Sequence, residues 1–190
     1  MLRTEIFKKY NSSEDLNKKE AEIRISLLLE PDNLEYLREL GALVYYKRNL
    51  KNARLIYKKL TELEPQNGNN FAFLGFLNYE LEDFEEAVKN FNKALELVKD
   101  VSFIYFLLGN SYSRIGNIIE AIKCYDLAIF NNIDIYAVHL DFAKKYEEIG
   151  SPEKALQEYT AAYEIDPRDK EIEQKIKSLK EKINKYCNLY

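Results

Sequence analysis

The chain has 190 residues, of which 46% are hydrophobic and 32% charged, with only 6 glycines and 4 prolines. This composition excludes a disordered or collagen-like chain and argues against a loop-rich β fold, while the length suits one domain or a short repeat array. The formal net charge of -4 disfavours a general nucleic-acid binder, because such proteins are usually basic.

Few residues are of the types that catalyse reactions or bind metals. Cys124 and Cys187 are too few for a disulfide framework and too far apart for a zinc motif, and His139 is the single histidine. The sequence shows no signal peptide, no lipid-accepting cysteine near its start and no apolar run approaching the roughly 20 residues of a membrane helix. We therefore expect a cytoplasmic protein with no membrane insertion, no cofactor and no metal.

An interval of 34 residues relates small, large and aromatic positions along the chain, which predicts an internal repeat. The recurring small residues are Gly41, Gly75, Gly109 and Ala143, then Ala53, Ala87, Ala121 and Ala155. The recurring large residues are Leu40, Leu74, Leu108 and Phe142, then Tyr57, Phe91, Tyr125 and Tyr159. Glycine inside a helix costs about 1 kcal/mol relative to alanine. Its recurrence therefore indicates that two helices approach each other closely there.

Residues that favour helix N-termini recur at the same interval, at Asp15, Asn49, Asp83, Asn117 and Ser151. Asp83 with Glu86 and Asn117 with Glu120 have the spacing of a capping box. Prolines at 31, 65 and 167 close their repeats, because a helix cannot run through them. Each repeat is predicted to be two helices of about 14 residues joined by a tight turn.

In chain order, the interval predicts a degenerate repeat, four full repeats and a C-terminal element. The predicted boundaries are 1–33, then 34–67, 68–101, 102–135 and 136–167, then 168–190. The last segment carries an apolar stripe of Ile172, Ile176, Leu179 and Ile183, which predicts a capping helix. Its stretch 168–185 has 7 Lys plus Arg against 4 Asp plus Glu, which suits either a solvated cap or a contact with an acidic partner.

These positions resemble the tetratricopeptide repeat, whose 34-residue unit reads L-G-x2-Y, then A-x3-F and a closing proline. The best match consists of Leu108, Gly109, Tyr112, Gly116, Ala121, Tyr125 and Ala128. The resemblance implies an all-α, right-handed α-solenoid of antiparallel helix pairs with a C-terminal capping helix. It also implies that the protein works by binding a protein or peptide partner on an extended concave surface.

In the resembled family, the concave surface is formed by six positions of the first helix of each repeat. Here these positions concentrate aromatic residues in three consecutive repeats, with polar residues at the rim. The predicted partner-binding groove consists of Arg38, Tyr45, Tyr46, Phe73, Phe76, Tyr79, Phe103, Phe106, Asn110, Arg114 and Lys144. We expect half of its aromatic residues to belong to the core and the rest to form an apolar anchor patch.

Two sharper functions are not expected. Chaperone-binding members of the family hold a C-terminal carboxylate with a Lys and an Asn at the fifth and ninth positions of one repeat, and no repeat here carries that pair. A looser clamp around Asn110 and Arg114 stays open. No recurring position carries catalytic residues, His139 is expected to be a partly buried packing residue and Cys124 a small core residue, so we do not expect an enzyme.

Three functional hypotheses follow. The first is a non-catalytic adaptor that binds a partner peptide or helix in the aromatic groove. The second is a self-assembling scaffold subunit of a larger, envelope-associated complex, joined through the same groove or through the tail residues Tyr186 and Tyr190. The third is RNA binding by a related helical-hairpin repeat, which the 34-residue interval and the acidic charge both disfavour.

Overall fold

A computed structural model describes residues 2–10, 15–99 and 101–187, with side chains to residue 184. These ranges are all-α and hold no β-strand. The chain forms two compact units, residues 1–131 and 132–190.

The first compact unit contains eight of the described helices. They are α1 (Leu2–Ile6), α2 (Leu16–Leu29), α3 (Leu34–Tyr46), α4 (Leu50–Leu63), α5 (Gly68–Glu80), α6 (Phe84–Leu95), α7 (Ser102–Arg114) and α8 (Ile118–Phe130). Helices pack in pairs, α3 with α4, α5 with α6 and α7 with α8, and the second helix of one pair packs on the first helix of the next. This stacking of helix pairs is the predicted α-solenoid fold, while the repeat boundaries themselves stay predictions.

Close helix contact within each pair depends on a missing side chain. A Cβ atom added at each recurring glycine would lie 2.7–2.8 Å from an aromatic ring atom, closer than real Cβ contacts allow. The facing pairs are Gly41 with Tyr57, Gly75 with Phe91 and Gly109 with Tyr125. The prediction that small residues let the two helices approach is therefore confirmed at these three glycines.

The turn within each pair repeats one backbone conformation. Arg48, Glu82, Gly116 and Gly150 stand 34 residues apart and all have positive φ, between 62° and 84°. Side chains with a Cβ are strained in this region, whereas glycine adopts it freely. Two of the four turns therefore contain a residue that does not suit their backbone.

The predicted helix caps form only in part. Asp15 accepts hydrogen bonds from the backbone N–H groups of Asn17 and Lys18, and Asn49 accepts one from Asn52. Asp83, Asn117 and Ser151 precede their helices, but their side chains make no capping hydrogen bond. The capping boxes are therefore wrong. Their glutamates form ion pairs three residues along the helix instead, Glu86 with Lys89 and Glu120 with Lys123.

The second compact unit contains α9 (Ile135–Glu148), α10 (Pro152–Ile165) and α11 (Lys170–Cys187), and α10 packs on both α9 and α11. Ile172 and Leu179 of α11 are buried, and Ile176 and Ile183 are half-buried. The predicted apolar stripe is thus the face that α11 turns to its neighbour. The hydroxyl of Tyr136 on α9 donates a hydrogen bond of 2.6 Å to the carboxylate of Asp169, the residue that precedes α11.

We expect Glu82→Gly to stabilise the chain by about 0.5–1 kcal/mol, because glycine relieves the left-handed strain at an exposed turn. Chemical denaturation monitored by circular dichroism would measure the change. The matched control is Glu85→Gly, the same substitution on exposed helix α6, which should destabilise by up to about 1 kcal/mol. Equal signs for the two variants would contradict the explanation.

Candidate partner-binding groove

The candidate groove is the face of the first compact unit formed by α3, α5 and α7. Helical spacing places the predicted positions of each helix on one side, because residues three or four apart share a face. Lys144 belongs to the second compact unit, where it is exposed, and its place in the groove stays a prediction.

More of the groove aromatics are buried than the sequence predicts. Tyr45, Phe73, Phe76, Phe103 and Phe106 are at most 7% exposed, whereas Tyr46 is 37% exposed and Tyr79 half-buried. The buried rings pack edge-on or stacked against one another, with centroids 5.3 Å apart for Tyr45 and Phe73 and 6.3 Å apart for Phe103 and Phe106. Five of the seven predicted groove aromatics are therefore buried, rather than the half expected.

Part of this face is covered by the start of the chain itself. We call residues 2–10 the N-terminal segment. Its short helix α1 packs against α5 and α7, and Leu2 and Ile6 are 6% and 1% exposed. The ring of Phe7 lies 6.4 Å from that of Phe103, and the ring of Tyr10 lies 4.8 Å from that of Tyr46.

Sequence reasoning missed this contact. It assigned the first 33 residues to a degenerate repeat, whereas α1 has five residues and contacts helices two and three repeats further along. The available signal was the pair Leu2 and Ile6, four residues apart and followed directly by Phe7, in a segment too short to form a full repeat helix. That pattern indicates one apolar helical face that needs a partner.

Beside α1 the groove keeps an open, polar depression of about 600 Å³. Its lining includes Glu5, Lys8, Glu35, Arg38, Asn69 and Asn70. Burial raises the pKa of the Glu5 carboxyl, against the opposing attraction of Arg38 and Lys8. Burial beside the groove thus disfavours the charged form of Glu5.

The predicted polar rim already has partners within the chain. Arg38 pairs with Glu64, whose carboxylate also accepts hydrogen bonds from Asn67 at 3.2 Å and Asn70 at 2.9 Å. Asn110 accepts a hydrogen bond of 2.8 Å from the Tyr125 hydroxyl.

Arg114 lies over the ring of Phe84, with 5.3 Å between its guanidinium carbon and the ring centroid. A ligand that used Arg38, Asn110 or Arg114 would therefore have to share or replace these partners.

The remaining chemistry-bearing side chains form no catalytic arrangement among the described residues. His139 is half-buried with its Nδ1 atom 2.7 Å from the Glu158 carboxylate, and Cys124 is buried, which raises the pKa of its thiol to about 11. The side chain of Cys187 lies outside the described part. Within that part, no cluster of His, Cys, Asp and Glu could hold a metal ion, and no helix is long and apolar enough to span a membrane.

Comparison with known families supports the interpretation of the repeats. A family model described as the tetratricopeptide repeat matches residues 70–99 and 104–129, which cover most of the pairs α5–α6 and α7–α8. This stretch therefore consists of tetratricopeptide repeats (TPRs). The TPR fold is generally a non-catalytic module for protein–protein interaction.

Solved structures of other TPR proteins share the fold. MamA is 22% identical, with 85% of this chain and 88% of MamA covered and a TM-score of 0.63. A TPR protein from Parabacteroides merdae is 19% identical, with 92% and 69% covered and a TM-score of 0.62. YrrB, described as a TPR protein with an unusual peptide-binding site, is 18% identical, with 83% and 81% covered and a TM-score of 0.56. No curated protein matches the sequence.

We expect Glu5→Gln to strengthen docking of α1 at neutral pH, because the amide avoids the burial penalty of the carboxylate. The sign follows from the raised pKa. Docking is strongest where Glu5 is protonated, near and below its ordinary pKa of 4.5, and it weakens as the pH rises through the raised pKa of the docked state. Thermal unfolding at pH 4 and pH 7.5 would measure this, with a gain of up to about 2–4 °C expected only at pH 7.5.

The control for this test is Glu35→Gln, which removes an exposed carboxylate from the rim of the same depression. It should leave the unfolding midpoint within error at both pH values. A gain for Glu5→Gln that is equally large at pH 4 would show that the effect does not come from the charge.

Proposed function

We propose that this TPR protein is a non-catalytic adaptor that binds a short peptide or helix of a partner protein on the groove face of α3, α5 and α7. The observation that carries the proposal is that this face already holds a short apolar helix, α1, with Ile6 only 1% exposed. A surface that buries one five-residue helix of this kind has the shape and apolarity to accept another.

The groove combines the two features that peptide recognition needs. Tyr46 and Tyr79 offer partly exposed aromatic surface at the end of α3 and of α5, which suits anchoring side chains. Asn69 and Arg38 line the adjacent polar depression and can meet the backbone or acidic groups of a ligand. The description of the structurally similar YrrB as a peptide-binding TPR protein supports this use of the fold.

Several alternatives have weaker support. An enzyme would need convergent catalytic groups, and among the described residues no group of three or more His, Cys, Asp and Glu side chains could hold a metal ion. A chaperone carboxylate clamp, even the looser form around Asn110 and Arg114, would have to share or replace the contacts of these residues with Tyr125 and Phe84. The net charge of -4 disfavours RNA, and the cytoplasmic location stays a prediction.

The test is selection of binding peptides from a display library against the whole chain, followed by measurement of their affinities for variants. We expect Tyr46→Asp combined with Tyr79→Asp to weaken binding at least tenfold, equal to about 1.4 kcal/mol, because a charge replaces aromatic anchor surface. Isothermal titration calorimetry would measure the affinity, and circular dichroism would confirm that the variant is folded.

The matched control is Leu55→Asp on α4, where the leucine is 64% exposed and lies outside the groove. It should leave the affinity unchanged. Peptides that lose affinity for Leu55→Asp but not for the tyrosine variant would contradict the proposed site.

Self-association is a second candidate function, favoured by the apolar surface of α2. Ile25, Leu28 and Leu29 are 61%, 80% and 82% exposed, and Ile25 and Leu28 line a depression of about 340 Å³ together with Leu27 and Leu40. Exposed aliphatic side chains clustered in this way are typical of surfaces between protein copies. The tail side chains Tyr186 and Tyr190, which the sequence offered for the same role, lie outside the described part.

If α2 joins copies of the chain, Leu28→Asp with Leu29→Asp will abolish a concentration-dependent oligomer of the wild-type chain. Sedimentation velocity over a hundredfold range of concentration would measure the change. Leu55→Asp again serves as the control and should associate like the wild type. A wild-type chain that stays monomeric over the whole range would exclude this candidate.

A further inference from the structure

We propose that the N-terminal segment is a built-in ligand of the groove, and that the partner is a short amphipathic helix with the same side-chain pattern that binds by displacing it. The pattern is two aliphatic residues four apart, followed directly by an aromatic residue, as in Leu2, Ile6 and Phe7. The inference rests on the function proposed above and specifies the class of partner.

Helix α1 is held by one buried apolar face. Leu2 and Ile6 lie on one face of the helix and are both buried, while Thr4 between them is exposed. A helix of five residues is too short to be stable on its own in water. Its conformation therefore depends on contact with α5 and α7, as expected of a peptide that folds on its binding surface.

The aromatic residues of the N-terminal segment contact aromatic residues of the groove. Phe7 contacts Phe103 of α7, and Tyr10 contacts Tyr46 of α3. Both partners belong to the positions that line the concave face in the TPR family, as predicted from the sequence. The segment thus covers the first helices of three consecutive repeats, which is the surface that an external ligand would occupy.

The N-terminal segment binds the groove with an unfavourable contact at Glu5. Glu5 is half-buried at a site that disfavours its charge, and Thr4, Lys8 and Lys9 remain exposed. A partner helix with a neutral residue at the position of Glu5 would avoid that penalty and could bind more tightly than the segment itself. Displacement therefore needs no change in the repeats.

Because the segment is covalently attached, it competes at a high effective concentration. Tethered ligands reach effective concentrations in the millimolar range, so an external peptide meets a groove that is mostly occupied. Its apparent affinity is reduced by the fraction of molecules in which the groove is free. Releasing the segment should therefore raise the apparent affinity without altering any groove residue.

The test uses the full chain and a fluorescent synthetic peptide with the sequence of its first ten residues, MLRTEIFKKY. We expect the peptide to bind Ile6→Asp at least tenfold more tightly than it binds the wild-type chain, because the new charge expels α1 from its apolar contact. Fluorescence anisotropy would measure both affinities. Thr4→Asp, which adds the same charge on the exposed side of α1, should behave like the wild type.

A second measurement keeps the test independent of that substitution. The sequence contains no tryptophan, so Phe7→Trp places the single tryptophan of the variant on the segment, where its emission can be excited selectively. Saturating amounts of a peptide selected as a groove ligand should shift its emission to the red, because the indole leaves the contact with Phe103 for water. Unchanged emission at saturation would show that the ligand binds without displacing the segment.

Two outcomes separate failure of this inference from failure of the proposed function. If groove-dependent peptides bind wild type, Thr4→Asp and Ile6→Asp equally, the groove is a binding site but the segment does not occupy it. If no peptide depends on Tyr46 and Tyr79, the proposed function fails together with the inference. A third outcome concerns dimers. If the wild-type chain forms dimers that dissociate when the peptide MLRTEIFKKY is added, the segment binds a second copy of the chain. That result would overturn the proposal that the segment binds its own groove.

Discussion

The contact between a glycine on one helix and an aromatic ring on the next is the constraint on which the repeats depend. A Cβ at Gly75 would lie 2.8 Å from the ring of Phe91, so the two helices can pair at this distance only if that side chain is absent. The ring then fills the space that the glycine leaves open, and the same packing of a ring against a glycine recurs at Gly41 and Gly109. Helix pairing in this unit is therefore decided by one small and one large residue per repeat.

Close pairing also explains why the groove is more buried than its sequence suggests. Once neighbouring pairs stack, rings such as Phe73 lie between repeats, where Phe73 stacks on Tyr57 with centroids 4.2 Å apart. The same aromatic residues therefore pack in the core between repeats and also form the bottom of the groove. The N-terminal segment then covers part of the floor that remains, which leaves the polar depression near Arg38 as open surface.

The sequence predicts those features that the 34-residue interval repeats. The helix pairs, the glycine contacts and the apolar stripe of α11 all follow from residues whose spacing is set by the helix period or by the repeat. Contacts outside the period could not be found in this way. The ion pair between Arg38 and Glu64 and the docking of α1 depend on where side chains from distant parts of the chain meet after folding.

The capping boxes did not form for a related reason. A motif of two residues does not determine which group each of its side chains will bond. In the structure the backbone N–H of the N-cap residue Asp83 donates to the carbonyl of Asn78 at 2.9 Å, and Glu86 pairs with Lys89 three residues further along the helix. Local motifs therefore predict where a helix begins better than they predict the hydrogen bonds made there.

The span of the N-terminal segment has a consequence for how such proteins can change during evolution. Phe7 and Tyr10, three residues apart, contact Phe103 of α7 and Tyr46 of α3, so the segment bridges three consecutive repeats. Duplication of one 34-residue repeat between these two contacts would leave the helix pairing intact but carry the two anchoring rings out of reach of each other. The two ring contacts of the segment therefore fit one number of repeats between α3 and α7, and gain or loss of a repeat would break at least one of them.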